Sequence, residues 1–192
     1  MRRKRVGVLI SGRGSNMKAL VEAARVPDYP AEIVAVVSNV ADAPGLAWAA
    51  SQGISTQVMS HKGFASREAY DTALSAHLKS KALDLVCCAG FMRILTPAII
   101  KDWEGRMLNI HPSLLPAFKG LHTHERAIAE GARLHGATVH VVTAELDGGP
   151  IVAQASVPVL PDDTPEQLAA RVLAVEHPLY VKALALVARS LP

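Results

Sequence analysis

With 192 residues, half of them hydrophobic and 19% charged, the chain suits a single soluble globular domain that covers roughly 70% of its unfolded surface. No apolar run approaches the ~20 residues needed to span a bilayer, and the basic start Met1-Arg2-Arg3-Lys4-Arg5 leads into an apolar stretch, residues 6–10, too short for a secretory signal. The formal net charge is +3, but four of the cations sit in that start, which reads as a solvated entrance to the first strand. No stripe of alternating aromatic and basic residues follows, so neither nucleic acid nor a membrane is an expected partner.

The first element is a buried strand over residues 6–10, followed by Ser11-Gly12-Arg13-Gly14-Ser15-Asn16 and a helix over 17–25. A glycine turn between strand and helix aims backbone N–H groups and the positive helix end at an anion, usually phosphate. The dinucleotide form of this motif wants a third glycine where Met17 stands, and an acid ending the second strand, 32–37, where Ser38-Asn39 stand. NAD is thereby disfavoured. A single small phosphate monoester fits better, with a tight turn lacking any ligand as the alternative.

A second unit supplies a helix over 45–51, stopped by Gly53, and a strand over 56–59. Ser66 caps a helix over 66–79 whose first turn carries Arg67; a cation there opposes the helix dipole, so Arg67 has either an outside partner or only solvent. The strand over 83–89 points Cys87 and Cys88 to opposite faces, where they cannot pair with each other, and this fits a reducing cytoplasm. It leads into Gly90-Phe91-Met92-Arg93-Ile94-Leu95-Thr96-Pro97. That apolar turn with one charge either walls a flat aromatic ligand or buries itself against the helix that Pro97 opens and Asp102 ends.

The strand over 107–111 organises the rest. Side chains alternate across a strand, so Asn109 and His111 share a face, and Pro112 holds His111 extended at the strand end, where α/β proteins place chemistry. His122 and His124 invite a metal reading with His111 or His140, but zinc needs three or four close ligands and both cysteines lie in another strand, so no metal is expected. His122 is expected against a backbone group beside a helix start, with that helix running over 125–130 to Gly131. A strand over 138–143, the turn around Asp147-Gly148-Gly149-Pro150 and a strand over 151–158 form an antiparallel pair. Thr164-Pro165-Glu166 then opens a long apolar helix in which His177-Pro178 allows either a kink or a break into two.

In this order, several segments resemble the phosphoribosylglycinamide formyltransferase family, the folate-dependent transformylases of purine synthesis. They are Leu9 through Asn16, Ser66-Arg67-Glu68-Ala69-Tyr70-Asp71, Ala89 through Leu95, Leu108 through Pro116, Gly120-Leu121-His122-Thr123-His124 and Glu145 through Pro150. The resemblance implies that Gly14, Ser15 and Asn16 hold the phosphate of glycinamide ribonucleotide, with Glu176 also at the nucleotide. It implies a pocket for 10-formyltetrahydrofolate, a co-substrate, at Arg67, Met92, Arg93, Ile94, Leu95 and Asn109. His111 becomes the proton donor and Asp147 the acid that stabilises its protonated form. Formyl transfer to an amine passes through a tetrahedral oxyanion, to which Asn109 and His111 would donate, and losing one such donor typically costs ~10²–10³ in rate.

The expected fold is α/β: a single-domain, Rossmann-like, mostly parallel sheet with helices on both faces and an antiparallel C-terminal strand. Residues 1–192 form one formyltransferase domain, its N-terminal half for phosphate and nucleotide, its C-terminal half for folate and catalysis. The nearest rival is formyltetrahydrofolate hydrolase, where an alanine-phenylalanine-lysine stretch like Ala117-Phe118-Lys119 also occurs. Hydrolases add an N-terminal regulatory domain and methionyl-tRNA formyltransferase an RNA-gripping C-terminal one; a chain beginning at the phosphate turn leaves room for neither. A non-catalytic nucleotide-binding module would make Asn109, His111 and Asp147 coincidental. Monomer and homodimer both remain open.

Overall fold

Seven strands carry the molecule: β1 (Lys4–Ile10), β2 (Ala31–Ser38), β3 (Ser55–Val58), β4 (Leu85–Cys88), β5 (Met107–His111), β6 (Leu134–Val141) and β7 (Ile151–Pro158). In the computed structural model, which describes residues 2–192, they form one sheet in the order β3-β2-β1-β4-β5-β6-β7. β1 to β5 are parallel, β6 is antiparallel to β5, and β7 is antiparallel to β6. This is the expected α/β sheet with its antiparallel C-terminal portion. The strand order reverses between β1 and β4, and such a switch point opens a crevice at the strands' carboxyl ends.

Helices α1 (Ser15–Ala24), α2 (Pro44–Ser51), α3 (Arg67–Ser80), α4 (Pro97–Asp102), α5 (Thr123–Ala129) and α6 (Pro165–Ser190) alternate with the strands. Both sheet faces are covered, which is why the parallel strands read as nearly continuous apolar runs. Val8, Ile10, Val36, Cys87 and Leu108 join a core with residues of α1, α2 and α6, while Leu9, Val37, Val86, Cys88 and Met107 join another with Tyr70, Leu74 and Ile99 of α3 and α4. The adjacent cysteines are free, buried and split between these cores, as strand alternation requires.

Three expectations change. The basic start is solvated only in part: Arg2 is exposed, but Lys4 is buried and its Nζ donates to the Pro192 carbonyl, while Arg3 reaches the carbonyls of Ala24 and Ala31. Arg5 donates to Lys81 O and Ala82 O, each at 3.1 Å, and Arg2 grips Asp84 with both terminal guanidinium nitrogens. β1 starts where α1 and α3 end, and the unsatisfied carbonyls of helix C-termini attract cations. Second, of the kink or break that Pro178 allowed, the break does not occur, since α6 continues through it as one helix. Leu168 and Val172 before the proline, and Leu179, Tyr180, Ala183 and Leu184 after it, belong to one buried stripe, and burying it outweighs the ~3 kcal/mol of an internal proline. Third, β6 begins at Leu134, upstream of the expected strand, because it pairs with all but one residue of β7.

Tyr180 fixes α6 to the sheet: its buried hydroxyl stands 3.0 Å from Cys88 O and 3.1 Å from Leu108 O and shares its one hydrogen between them, bridging β4 and β5. Tyr180→Phe is expected to cost about 1–2 kcal/mol in urea denaturation; unchanged stability would contradict this strut.

Candidate active site

The carboxyl end of β5 presents the densest polar cluster. His111 is buried, with Nε2 2.9 Å from Phe118 O and Nδ1 3.4 Å from Asp147 Oδ2. A carbonyl only accepts, so Nε2 carries a hydrogen, and only the imidazolium also has one at Nδ1 to share with the carboxylate. The Asp147 side chain is 8% exposed. Its Oδ2 accepts from Gly120 N at 2.9 Å, and its Oδ1 lies 3.7 Å from His140 Nε2.

The turn makes this reach possible. Asp147 has φ 49°, a left-handed conformation that aspartate tolerates better than most residues. A Cβ on Gly149 would stand 1.8 Å from Val141 O, so only glycine lets the turn close onto β6.

Asn109 lies opposite His140 in the β5/β6 register, and its Nδ2 is 3.3 Å from His140 Nε2. His140 Nδ1, 3.1 Å from Val141 O, must be the protonated nitrogen of that ring. Burial pushes the His140 pKa down, outweighing the Asp147 charge that raises it. A neutral His140 therefore accepts from the Asn109 amide, leaving the second amide hydrogen for another oxygen. Sequence reasoning weighed His140 only as a metal ligand. The signal that finds it is strand register, and nothing in the local sequence fixes that.

The residues expected at the phosphate are also gathered. Gly14, with φ 68°, stands at the start of α1 and has no side chain to cap it, so the helix's leading N–H groups stay open. Gly45 N donates to Gly12 O at 3.1 Å, and a Cβ at Gly45 would press on that oxygen and on Arg13 O. Asn16 donates to Glu176 Oε2 at 2.7 Å, while its own Oδ1 is buried without a partner among the described residues. Burial raises the Glu176 carboxyl's pKa, opposed by the Asn16 hydrogen bond and, more weakly, by the charges of His177 and His111.

The loop after β4 divides the two readings it allowed. Phe91 and Leu95 lie against the α3/α4 core, while Met92 and Ile94 are 68% and 59% exposed. Arg93 holds its guanidinium 4.6 Å from the Tyr70 ring centroid. Arg67 is exposed one turn earlier on the same helix, capped as expected by Ser66 Oγ accepting from Ala69 N. Among the described residues His122 meets no backbone group: its Nδ1 lies 3.6 Å from Glu125 Oε1 on the surface. Its left-handed backbone, φ 57°, turns it outward from the start of α5. His124 Nδ1 instead contacts the fully buried His135 Nε2 at 3.2 Å. Among the described residues no group of three or more His, Cys, Asp or Glu is arranged to hold a metal ion, and no helix is long and apolar enough to cross a membrane.

A family model described as formyl transferase matches residues 4–184, from β1 into α6. The chain belongs to that family. It is similar to the crystal structure of phosphoribosylglycinamide formyltransferase from Brucella melitensis, at 55% identity and a TM-score of 0.94, covering 100% of this chain and 98% of that one. It is 49% identical over 173 residues to phosphoribosylglycinamide formyltransferase of Escherichia coli (strain K12), covering 90% of this chain and 82% of that protein. It is also 50% identical over 188 residues to the trifunctional purine biosynthetic protein adenosine-3 of Drosophila pseudoobscura pseudoobscura, of whose length it spans 14%.

The histidine pair makes stability depend on pH. Burial first, and the neighbouring His124 second, lower the His135 pKa from 6.5 to about 4. The folded chain then binds fewer protons than the unfolded one across this window, so the contribution is complete above pH 6.5 and is lost as pH falls towards 4. Chemical denaturation from pH 7 to 4 should show His135→Gln losing less stability than the parent, by at most about 3 kcal/mol; parallel profiles would contradict it.

Proposed function

We propose that the protein transfers the formyl group of 10-formyltetrahydrofolate to the amine of 5′-phosphoribosylglycinamide in purine biosynthesis. The observation that carries the reading is the buried Asp147–His111 contact beside Asn109 at a strand end, with an uncapped helix start nearby. The ribonucleotide phosphate goes to Gly14, Ser15 and Asn16, with Glu176 beside it; the folate goes to Arg67, Met92, Arg93, Ile94, Leu95 and Asn109. Residues 1–192 act as one domain, in which the halves named above divide these tasks. Free, buried cysteines suit a reducing cytoplasm.

The substrate amine attacks the formyl carbon directly, and the carbonyl electrons move to oxygen. His111 as imidazolium, its Nε2 hydrogen turned from Phe118 O to the substrate while Nδ1 stays on Asp147, and the free amide hydrogen of Asn109 donate to that oxyanion, and neutral His140 keeps the amide turned the right way. Collapse breaks the bond from the formyl carbon to N10, which takes a proton from His111. The proton that the attacking amine loses passes to His111 in place of the one given to N10, so the imidazole ends as it began. Asp147 stabilises the imidazolium throughout.

Hydrolysis would use water in the amine's place. The names carried by the Brucella and Escherichia relatives support transfer instead.

Folate absorbance, followed with and without the ribonucleotide, tests this reading. Formyl loss should require the amine. Asn109→Ala should lower kcat by ~10²–10³, and His111→Ala and Asp147→Ala should each abolish most turnover while folate binding persists. Formyl loss without the amine, or a fully active His111→Ala protein, would overturn the proposal.

A further inference from the structure

β1 lies between β2 and β4, where the strand order reverses, and Ser11 is the first residue beyond it. Chain position puts Ser11 in the glycine turn that leads to α1. Its hydrogen bonds point elsewhere. Ser11 N donates to Gly90 O at 3.1 Å, across the crevice. Ser11 Oγ accepts from Met92 N at 2.8 Å and donates to Asn39 Oδ1 at 2.5 Å.

A hydroxyl has one hydrogen and two lone pairs, so donating to buried Asn39, just past β2, fixes the rotor and aims a lone pair at the Met92 N–H. One oxygen thus joins the loops that follow three neighbouring strands. At its far end the Met92 loop is held by Thr96 N, which donates to the fully buried Asp71 Oδ2 at 2.6 Å. Between these two anchors, residues 93, 94 and 95 make no backbone–backbone hydrogen bond among the described residues. Backbone N–H and C=O groups need partners, and a heteroaromatic ring edge offers complementary ones.

We propose that Ser11 is a positioning residue for the folate rather than for the ribonucleotide phosphate: it sets where the backbone of residues 92–95 stands for the pterin edge. This rests on the function proposed above. A merely structural role, or a phosphate-loop role, would move the two substrates' constants together or move the ribonucleotide's alone.

The test uses Ser11→Ala, Ser11→Thr and Asn39→Ala, with steady-state kinetics in each substrate and calorimetric titration with tetrahydrofolate. Ser11→Ala should raise the KM for 10-formyltetrahydrofolate and the Kd for tetrahydrofolate by about three- to tenfold, with the ribonucleotide KM changed less than about twofold. Ser11→Thr, which keeps the hydroxyl, should restore both folate constants, and Asn39→Ala should move them in the same direction as Ser11→Ala. The inference is overturned if Ser11→Ala raises the ribonucleotide KM alone or both constants equally, or if Ser11→Thr is as impaired as Ser11→Ala. Should Ser11→Ala fail to fold, Asn39→Ala decides, and unchanged folate constants in it count against the inference. A parent protein that binds tetrahydrofolate but transfers no formyl group overturns the functional reading instead, and the titrations still decide Ser11.

Discussion

The Asp147 carboxylate reaches His111, His140 and the Gly120 N–H from a single buried position. Taking a carboxylate out of water is costly unless donors meet it, and its two donors come from different parts of the chain, the His111 imidazolium at the end of β5 and the Gly120 N–H in the loop before α5, while His140, whose Nε2 accepts from Asn109, is a neighbour rather than a donor. Satisfying that one group therefore fixes the β6–β7 turn, the Phe118–Gly120 loop and the strand end relative to one another. The loop is tied twice, because Phe118 O meets His111 while Gly120 N meets Asp147. The same contact that shelters the charge also sets the imidazole's orientation.

The sheet supplies the platform through an asymmetry between its two ends. At the amino end of β1, cations neutralise the carbonyls of ended helices and lock the C-terminus to Lys4. At the carboxyl ends, helix α1 begins without a side-chain cap, Asn16 leaves an oxygen unpartnered, and Met92 and Ile94 stand in solvent. One end is saturated, and the other is left with polar and apolar groups in want of partners. A binding face needs that incompleteness, and it is affordable because the opposite end and the two cores hold the fold.

Much of this was legible in the sequence because it rests on local physics. Strand alternation put Asn109 and His111 on one face and split Cys87 from Cys88; the Thr164-Pro165 start of α6 needed only capping chemistry, completed by Gln167. What the sequence hid depends on distant parts. His140 becomes Asn109's partner only through the β5/β6 register, and the arginines of the basic start find their acceptors only once α1 and α3 end beside β1. Pro178 allowed either a kink or a break because local propensity says so, and the buried stripe of α6 that decides against a break is a property of the assembled core. Ser11 is the extreme case: its neighbours in sequence suggest phosphate, while its hydrogen bonds run to Asn39 and Met92.

The central claim is that the Asp147-held imidazole and the Asn109 amide together face the reacting carbon. A crystal structure of the protein with glycinamide ribonucleotide and a non-transferable 10-formyl folate analogue measures this directly. The account expects the formyl oxygen at about 3 Å from both the Asn109 amide nitrogen and a His111 ring nitrogen, with Asp147 still against the imidazole. A formyl group bound away from the end of β5, or Asp147 turned from His111 into solvent, would contradict it.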